Sequence, residues 1–328
     1  MIILQDTDKV NSWTKHKKYA MTVSAHLAEA AVRETMLEKR AERMSMCGNT
    51  VLYDILPDGK MHYAGAWLCR DRLCPICSWR LGIKRLGESI KTVQRLAEIM
   101  PRTKAIHVVL TVKNIKLQDL RGTLEQMSAG FARLRRRQLW LDYVKGYMKS
   151  VEITYNAEKK TYHPHMHIIC IVPYYYTRQI SYGDWVDLWR DCMKMSYNPV
   201  IWAKHAYKDP VPDISGSMYD IDREEKSSMS KATEAIIEAT KYNTKPDELP
   251  EIAKAGEIAE LALSLKALRM VSYGGIIKKI RQELGYTTDE REQLPEETID
   301  PMEGIDRYRV IYTWATATGK YIPHISGL

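Results

Sequence analysis

Three of the nine histidines in this 328-residue chain fall in one short run between Tyr162 and Pro173, with the sequence Tyr-His-Pro-His-Met-His-Ile-Ile-Cys-Ile-Val-Pro. Side chains of a β-strand point to opposite faces in turn, so a strand here places His165 and His167 on one face. Two neutral imidazoles on one rigid surface supply half of a metal site. Pro164 cannot donate a ladder hydrogen bond, so regular pairing is expected only beyond it, or at a sheet edge.

The segment before this run predicts a partner strand. Lys149 to Tyr155 has the composition of a strand, and the polar stretch from Asn156 to Lys160 resembles a turn, so a hairpin is expected. Folding about the centre of that turn puts Glu152 opposite His165, and directly paired residues share a face. Two imidazoles and one carboxylate suit a divalent ion that must also hold a substrate oxygen. A register slip of one residue would turn Glu152 to the other face.

The bulk composition favours a polyanionic partner. The formal net charge is +8, and such a charge promotes association with nucleic acid without specifying a fold. No apolar run approaches the roughly 18 residues that span a bilayer, and residues 1–18 lack the apolar core of a signal peptide. A cytoplasmic protein with no membrane partner is therefore expected, in which cysteines are reduced or metal-bound.

Four of the six cysteines predict a structural zinc site. A compact Cys-x4-Cys-x2-Cys cluster with one more distant cysteine matches a closed tetrahedral Zn²⁺ site. The predicted ligands are Cys47, Cys69, Cys74 and Cys77. The turn signal at Pro57-Asp58-Gly59-Lys60, between short predicted strands, gives the region the character of a zinc ribbon. Two alternatives stay open: His62 replaces one thiolate, or the cysteines are unrelated. Cys170 and Cys192 are expected to be plain buried thiols.

The rest of the chain predicts an α+β fold, with a central antiparallel sheet and helices packed on one face of it. Residues 1–23 are polar and poorly patterned. Further predicted elements are helices at Ser24–Arg43, Ser78–Met100, Leu117–Arg137, Tyr182–Met195 and Glu251–Leu268, a strand at Ala105–Val112 and a terminal hairpin at Tyr308–Ile322. Three domains are expected: 1–100 with the zinc-ribbon-like module and a basic helix, 101–250 with the sheet, and 251–328 as a helical extension ending in the hairpin.

A second stretch with candidate chemistry runs from Ser228 to Tyr242 and predicts a helix with an apolar stripe. Glu238 and Tyr242 are four residues apart, so they are neighbours at the edge of that stripe. Lys245 follows within a turn. Taken alone, Glu238 and Tyr242 are an ordinary surface pair.

Three short motifs, in this order, resemble those of rolling-circle plasmid replication initiators in the HUH endonuclease superfamily. They are Leu110-Thr111 with Asn114, His163-Pro-His-Met-His167 and Lys241-Tyr242-Asn-Thr-Lys245. Arg72-Leu-Cys74-Pro-Ile-Cys77 is similar to the cysteine cluster of one branch, which uses a single catalytic tyrosine. The resemblance covers residues 47–250. The first motif departs from the pattern, because His107-Val-Val stands where Phe-Leu-Thr is more usual.

The resemblance implies a metal site. It assigns His165 and His167 to a catalytic Mn²⁺ or Mg²⁺, with Glu152 or His163 as the third ligand. The ion offsets charge that develops on the scissile phosphate.

The resemblance also implies a nucleophile. Tyr242 attacks DNA, giving a 5′-phosphotyrosyl enzyme and a 3′-OH that primes synthesis. A phenol has a pKa of about 10, so it needs help to ionise, from the ion or from Lys245. Glu238 stands where this branch has a carboxylate that activates water for the terminating cut.

The implied partners are plasmid DNA, as a double-strand origin with a single-stranded nick site, and a host helicase and polymerase. A homodimer stays open. No phosphate-binding Gly-rich loop is present in the sequence, which argues against a built-in nucleotide hydrolase. Alternatives are an HUH relaxase, which usually carries its tyrosine before the histidines, a single-strand transposase, which is much shorter, or a non-catalytic zinc-ribbon DNA-binding regulator. The basic helix after the cysteines is the expected duplex-binding surface.

Overall fold

The computed structural model describes residues 7–31, 35–173, 181–205, 244–286 and 308–326. In chain order its elements are α1 (Thr7–Ala31), α2 (Thr35–Met46), β1 (Thr50–Ile55), β2 (Met61–Ala66), α3 (Pro75–Ile99), β3 (Thr103–Thr111), α4 (Leu117–Leu134), α5 (Gln138–Tyr143), β4 (Gly146–Asn156), β5 (Thr161–Pro173), α6 (Tyr182–Met193), β6 (Ile201–His205), α7 (Leu249–Lys254), α8 (Ile258–Ser264), β7 (Val271–Gly274), α9 (Gly275–Glu283), β8 (Tyr308–Ala315) and β9 (Lys320–Ser326).

These elements form two compact units, each assembled from separate stretches of chain. The first comprises Met1–Leu81, Pro246–Ala259 and Gln293–Leu328, and the second Gly82–Lys245 and Glu260–Glu292. Each contains an antiparallel sheet and helices, so the α+β prediction is confirmed. The domain boundaries expected at residues 100 and 250 stay a prediction. Within the described ranges, no helix combines the length and the hydropathy needed to cross a bilayer.

The first unit contains a four-stranded sheet in the order β2-β1-β8-β9. The predicted terminal hairpin is confirmed as β8 and β9, and Gly319 turns between them with a φ of 62° that suits glycine. The single helix predicted at Ser24–Arg43 is instead the end of α1 and most of α2, and α1 begins at Thr7, within the poorly patterned stretch 1–23. Its buried face carries Trp13, Ala20 and Leu27, and the buried Lys17 interrupts this apolar stripe.

The second unit contains a five-stranded antiparallel sheet in the order β6-β3-β5-β4-β7. Strand β5 is central, and its residues from His167 to Pro173 are all buried, as expected for a strand covered on both faces. The predicted hairpin is present, and Glu152 pairs with His165 in the register expected from the sequence. Turn length and alternation fix that register together.

Helices cover both faces of this sheet, not one face as expected. On one face, Ile90 of α3 and Ile277 of α9 pack in a core cluster with Met148 of β4. On the other face, the ring of Phe131 in α4 lies 5.3 Å from that of Tyr147. Met148 and Tyr147 are adjacent in β4, so they must point to opposite sides. By the same alternation, Glu152 shares the face of Met148.

The predicted helices are mostly present with shifted ends. Helix α3 starts at Pro75, a residue favoured in the first turn because it has no N–H to satisfy. The single helix expected over 251–268 is instead two short helices, α7 and α8. Gly256 separates them with a φ of 77°, which ends the first helix. The helix expected at 228–242 lies outside the described residues.

Candidate active site and metal centres

Three buried side chains converge on one face of the five-stranded sheet. Oε2 of Glu152 lies 3.3 Å from Nε2 of His165 and 3.1 Å from Nε2 of His167. One donor atom from each residue lies within 4.8 Å of the other two. Two donors that flank one divalent ion at about 2.1 Å lie about 3.0 Å apart, so the observed spacing fits such an ion. Strands β4 and β5 fix this spacing through the Glu152–His165 pair.

The carboxylate of Glu152 is held in its ionised form. Burial acts to raise its pKa, but hydrogen bonds from His165 and His167 outweigh that effect, and the pKa lies well below the usual range. A ligand must be deprotonated to bind a metal ion. The cluster therefore offers one anionic oxygen and two imidazole nitrogens.

His163, the alternative third ligand, lies outside this group of converging donors. Its ring stacks on that of His165 with centroids 5.3 Å apart. Its carbonyl oxygen lies 3.1 Å from Nδ1 of His165 and accepts a hydrogen bond from it. Burial and then the neighbouring His165 lower the pKa of His163. The geometry therefore favours Glu152 over His163 as the third donor.

Lys245 reaches the same cluster. Its Nζ lies 3.7 Å from Oε1 of Glu152, on the carboxylate oxygen that does not face the imidazoles. Thr244 forms an isolated parallel bridge with Ile153, the residue after Glu152. The other two predicted catalytic residues, Tyr242 and Glu238, lie outside the described residues.

His107 is a member of this site that the sequence analysis did not assign. It is 2% exposed, and its Nε2 lies 3.0 Å from Nδ1 of His167. Strand β3 pairs directly with β5, and His107 is opposite Ile169, so it shares the face of His167. The available signal was the place of His107 in the strand predicted at Ala105–Val112, but the sequence does not show which strand pairs with it.

The four predicted zinc ligands come together in the first unit. Sγ of Cys77 lies 3.5 Å from Sγ of Cys47 and 3.6 Å from Sγ of Cys69. All four cysteines, including Cys74, form one buried group. Thiolates bound tetrahedrally to Zn²⁺ at about 2.3 Å lie about 3.8 Å apart, so the group fits that ion. His62 is not part of it.

Backbone groups complete this cysteine site. The N–H of Arg70 donates to Sγ of Cys77 at 3.2 Å, and the N–H of Cys69 donates to Sγ of Cys47 at 3.4 Å. Hydrogen bonds with the neighbouring thiols lower the pKa of Cys69, whereas burial raises the pKa of Cys74 and contacts with Cys47 and Cys69 raise that of Cys77. A bound metal ion favours the thiolate form of its cysteine ligands.

The other two cysteines, Cys170 and Cys192, are buried and free of disulfides, as expected.

Several basic side chains of helix α3 contact other residues of the protein. Arg80 is 7% exposed, and its guanidinium lies 3.9 Å from the ring centroid of Tyr63. Arg95 pairs with Glu283 at 2.8 Å. These side chains are therefore engaged within the protein, which weakens the expectation that this face contacts a duplex. By contrast, the residues from Arg135 to Arg137, after α4, are exposed.

Comparison with known proteins places these features in a family context. The sequence model of a family described as "Replication protein" matches residues 60–322. The chain is similar to "Protein rep" of Streptococcus pneumoniae serotype 2 (strain D39 / NCTC 7466), 28% identical over 318 residues, covering 95% of this chain and 92% of that protein. It is also similar to "Protein rep" of Bacillus amyloliquefaciens, 29% identical over 298 residues, covering 86% and 85%. No solved structure matches.

Proposed function

Because this chain belongs to the replication protein family, whose sequence model spans residues 60–322, we propose that it initiates plasmid replication by the rolling-circle route. It cuts and rejoins one DNA strand as an HUH-type nickase. The observation that carries the proposal is the buried convergence of Glu152, His165 and His167, with Lys245 beside it. A regulator without catalysis would have no use for this arrangement.

The proposed catalytic ion is Mn²⁺ or Mg²⁺, held by Glu152, His165 and His167. Imidazole favours transition metals and carboxylate suits Mg²⁺ and Mn²⁺, so the mixed set fits Mn²⁺ well. When bound, the ion supplies positive charge to the scissile phosphate. The protein's part is to keep one ionised carboxylate and two imidazoles in place on a rigid sheet.

Tyr242 is the proposed nucleophile. Its phenol oxygen forms a bond to phosphorus while the bond from phosphorus to the 3′ oxygen breaks, and that oxygen leaves as a 3′-OH with a proton. The 5′-phosphotyrosine keeps the energy of the phosphodiester, so rejoining needs no ATP. In the sequence, Tyr242 comes two residues before Thr244. Thr244 bridges Ile153, the neighbour of Glu152, and this supports the proposal.

Lys245 is proposed to stabilise negative charge, and Glu238 is proposed to accept a proton from water. The ammonium of Lys245, held 3.7 Å from Glu152, favours ionisation of a nearby phenol and offsets charge on the phosphate. Glu238 is proposed to activate the water that ends the reaction.

The cysteine group is proposed to bind a structural Zn²⁺, which leaves no open coordination position for chemistry. The proposed partners are the double-strand origin of a plasmid, its single-stranded nick site, and a helicase and polymerase of a host cell. The reaction takes place in the cytoplasm in this proposal, and the choice between monomer and homodimer stays open.

The decisive experiment looks for the covalent intermediate. The protein is incubated with Mn²⁺ and labelled single-stranded oligonucleotides from the cognate plasmid, and SDS-resistant adducts are resolved by electrophoresis. Wild-type protein and Tyr182→Phe, a control at an exposed tyrosine, should form the adduct, whereas Tyr242→Phe should not. Glu238→Ala should still nick but release product poorly. An adduct that persists in Tyr242→Phe would refute the assignment and point to Tyr174–Tyr176.

A further inference from the structure

The two imidazoles of the candidate metal site must each present Nε2 as a lone pair. A neutral imidazole carries one proton, so Nε2 is free to bind an ion only when Nδ1 holds that proton. The group that accepts from Nδ1 therefore selects the tautomer. For His165 this acceptor is the carbonyl oxygen of His163, 3.1 Å away. A carbonyl oxygen only accepts, so Nδ1 of His165 carries a proton, and Nε2 is the nitrogen that can bind an ion in place of its own proton.

For His167 the corresponding partner is His107. Nε2 of His107 lies 3.0 Å from Nδ1 of His167, and the two rings stack with centroids 5.2 Å apart and an angle of 26° between their planes. Nε2 of His167 faces Oε2 of Glu152 at 3.1 Å. When His167 binds an ion through Nε2, its Nδ1–H must donate, and Nε2 of His107 must accept.

We propose that His107 is a positioning residue that sets the tautomer and ring orientation of His167, and thereby the metal affinity of the site. The proposal rests on the metal site in the proposed function and deepens it. His107 does not itself join the group of converging donors. It acts through His167, from the neighbouring strand.

The surroundings of His107 suit this role. It is 2% exposed, so water does not compete for its hydrogen bond. The ring of Trp202, from the neighbouring strand β6, meets the ring of His107 edge-on with centroids 5.0 Å apart. The imidazole is therefore confined between Trp202 and His167, and its nitrogen stays aligned with Nδ1.

The test compares two substitutions that differ in hydrogen-bond acceptance. His107→Gln keeps an acceptor oxygen, whereas His107→Leu has a similar volume and none. Val108→Ala is the control, because Val108 is fully buried in the same strand but points to the opposite face. Mn²⁺ affinity is measured by calorimetry on the full chain, and folding by thermal melting.

The expected result is a loss of about 10- to 100-fold in Mn²⁺ affinity for His107→Leu, the range found for groups that orient metal ligands. His107→Gln should recover most of this affinity. Val108→Ala should lower the melting temperature without changing affinity. Equal affinity in His107→Leu and wild type would overturn the proposal, and so would an equal loss in all three variants.

A second measurement uses wild-type protein, so it does not depend on whether the variants at position 107 fold. Long-range ¹H–¹⁵N correlation spectra of histidine-labelled wild-type protein, saturated with Mg²⁺, report which nitrogen of His167 carries the proton. A proton on Nδ1 is expected, and a proton on Nε2 would overturn the proposal. Adduct formation by wild-type protein tests the proposed function separately, so loss of one conclusion is distinguishable from loss of the other.

Discussion

Replacing Glu152 with glutamine removes the one negative charge from the three converging donors while keeping the shape of the side chain. The carboxylate is buried, and its two oxygens face two imidazoles on one side and Lys245 on the other. The amide of glutamine can imitate the hydrogen bonds but not the charge. We therefore expect Glu152→Gln to fold and to bind Mn²⁺ at least about 100-fold more weakly, the upper limit for indirect changes near a metal.

The magnitude follows from linkage between binding and folding. At a free Mn²⁺ concentration of 100 times the wild-type Kd, binding stabilises the native state by about 2.7 kcal/mol. A variant with 100-fold weaker binding gains only about 0.4 kcal/mol at the same concentration. The difference of about 2.3 kcal/mol corresponds to about 5–9 °C in the melting temperature of a unit of this size.

Differential scanning calorimetry with and without Mn²⁺ measures this shift. Glu158→Gln is the matched control, because Glu158 is exposed in the turn of the same hairpin, and it should shift like wild type. If Mn²⁺ raised the melting temperature of Glu152→Gln as much as that of wild type, the site would not depend on this carboxylate, and the reasoning would be refuted.

Three further changes probe the first unit. Cys74→Ser should lower the bound zinc measured by mass spectrometry of the metal, whereas Cys170→Ser, at a buried thiol outside the cluster, should retain it. Lys17→Met should lower the free energy of unfolding by about 1–3 kcal/mol in urea titrations, because the buried ammonium donates to the carbonyl oxygens of Ser45 and Cys47. His16 is a pH probe: burial lowers its pKa to about 4 from 6.5. As pH falls from about 6.5 towards 4, His16 binds a proton in the unfolded chain but stays neutral in the folded chain. The free energy of unfolding therefore falls. His16→Gln should remove about 2–3 kcal/mol of the stability lost between pH 7 and pH 4.5, and unchanged pH dependence would contradict this.

The sequence predicted the hairpin that carries the site because its signals are local. Alternation fixed which residues share a face, and the short polar turn set the register of Glu152 against His165. The cysteine cluster was equally accessible, since spacing alone indicates zinc.

Other features have no local signal. Strand β8 joins β1 across most of the chain, and Arg309 pairs with Asp54 although they are 255 residues apart. The buried face of helix α1 contains a lysine, Lys17, which a sequence pattern assigns to the surface. Its ammonium donates to backbone oxygens that are distant in the sequence. His107 could be assigned only after β3 was known to pair with β5. All three features depend on tertiary contacts between distant segments, which local residue patterns do not predict.

The measurement that most directly tests the account is identification of the residue that carries DNA. The adduct is formed with Mn²⁺, trimmed with nuclease, digested with trypsin and sequenced by mass spectrometry. Trypsin does not cleave before proline, so Tyr242 falls in the peptide Tyr-Asn-Thr-Lys-Pro-Asp-Glu-Leu-Pro-Glu-Ile-Ala-Lys. The account predicts a nucleotide on Tyr242 of that peptide. A nucleotide on any other residue, or wild-type protein that never becomes linked to its cognate strand, would contradict it.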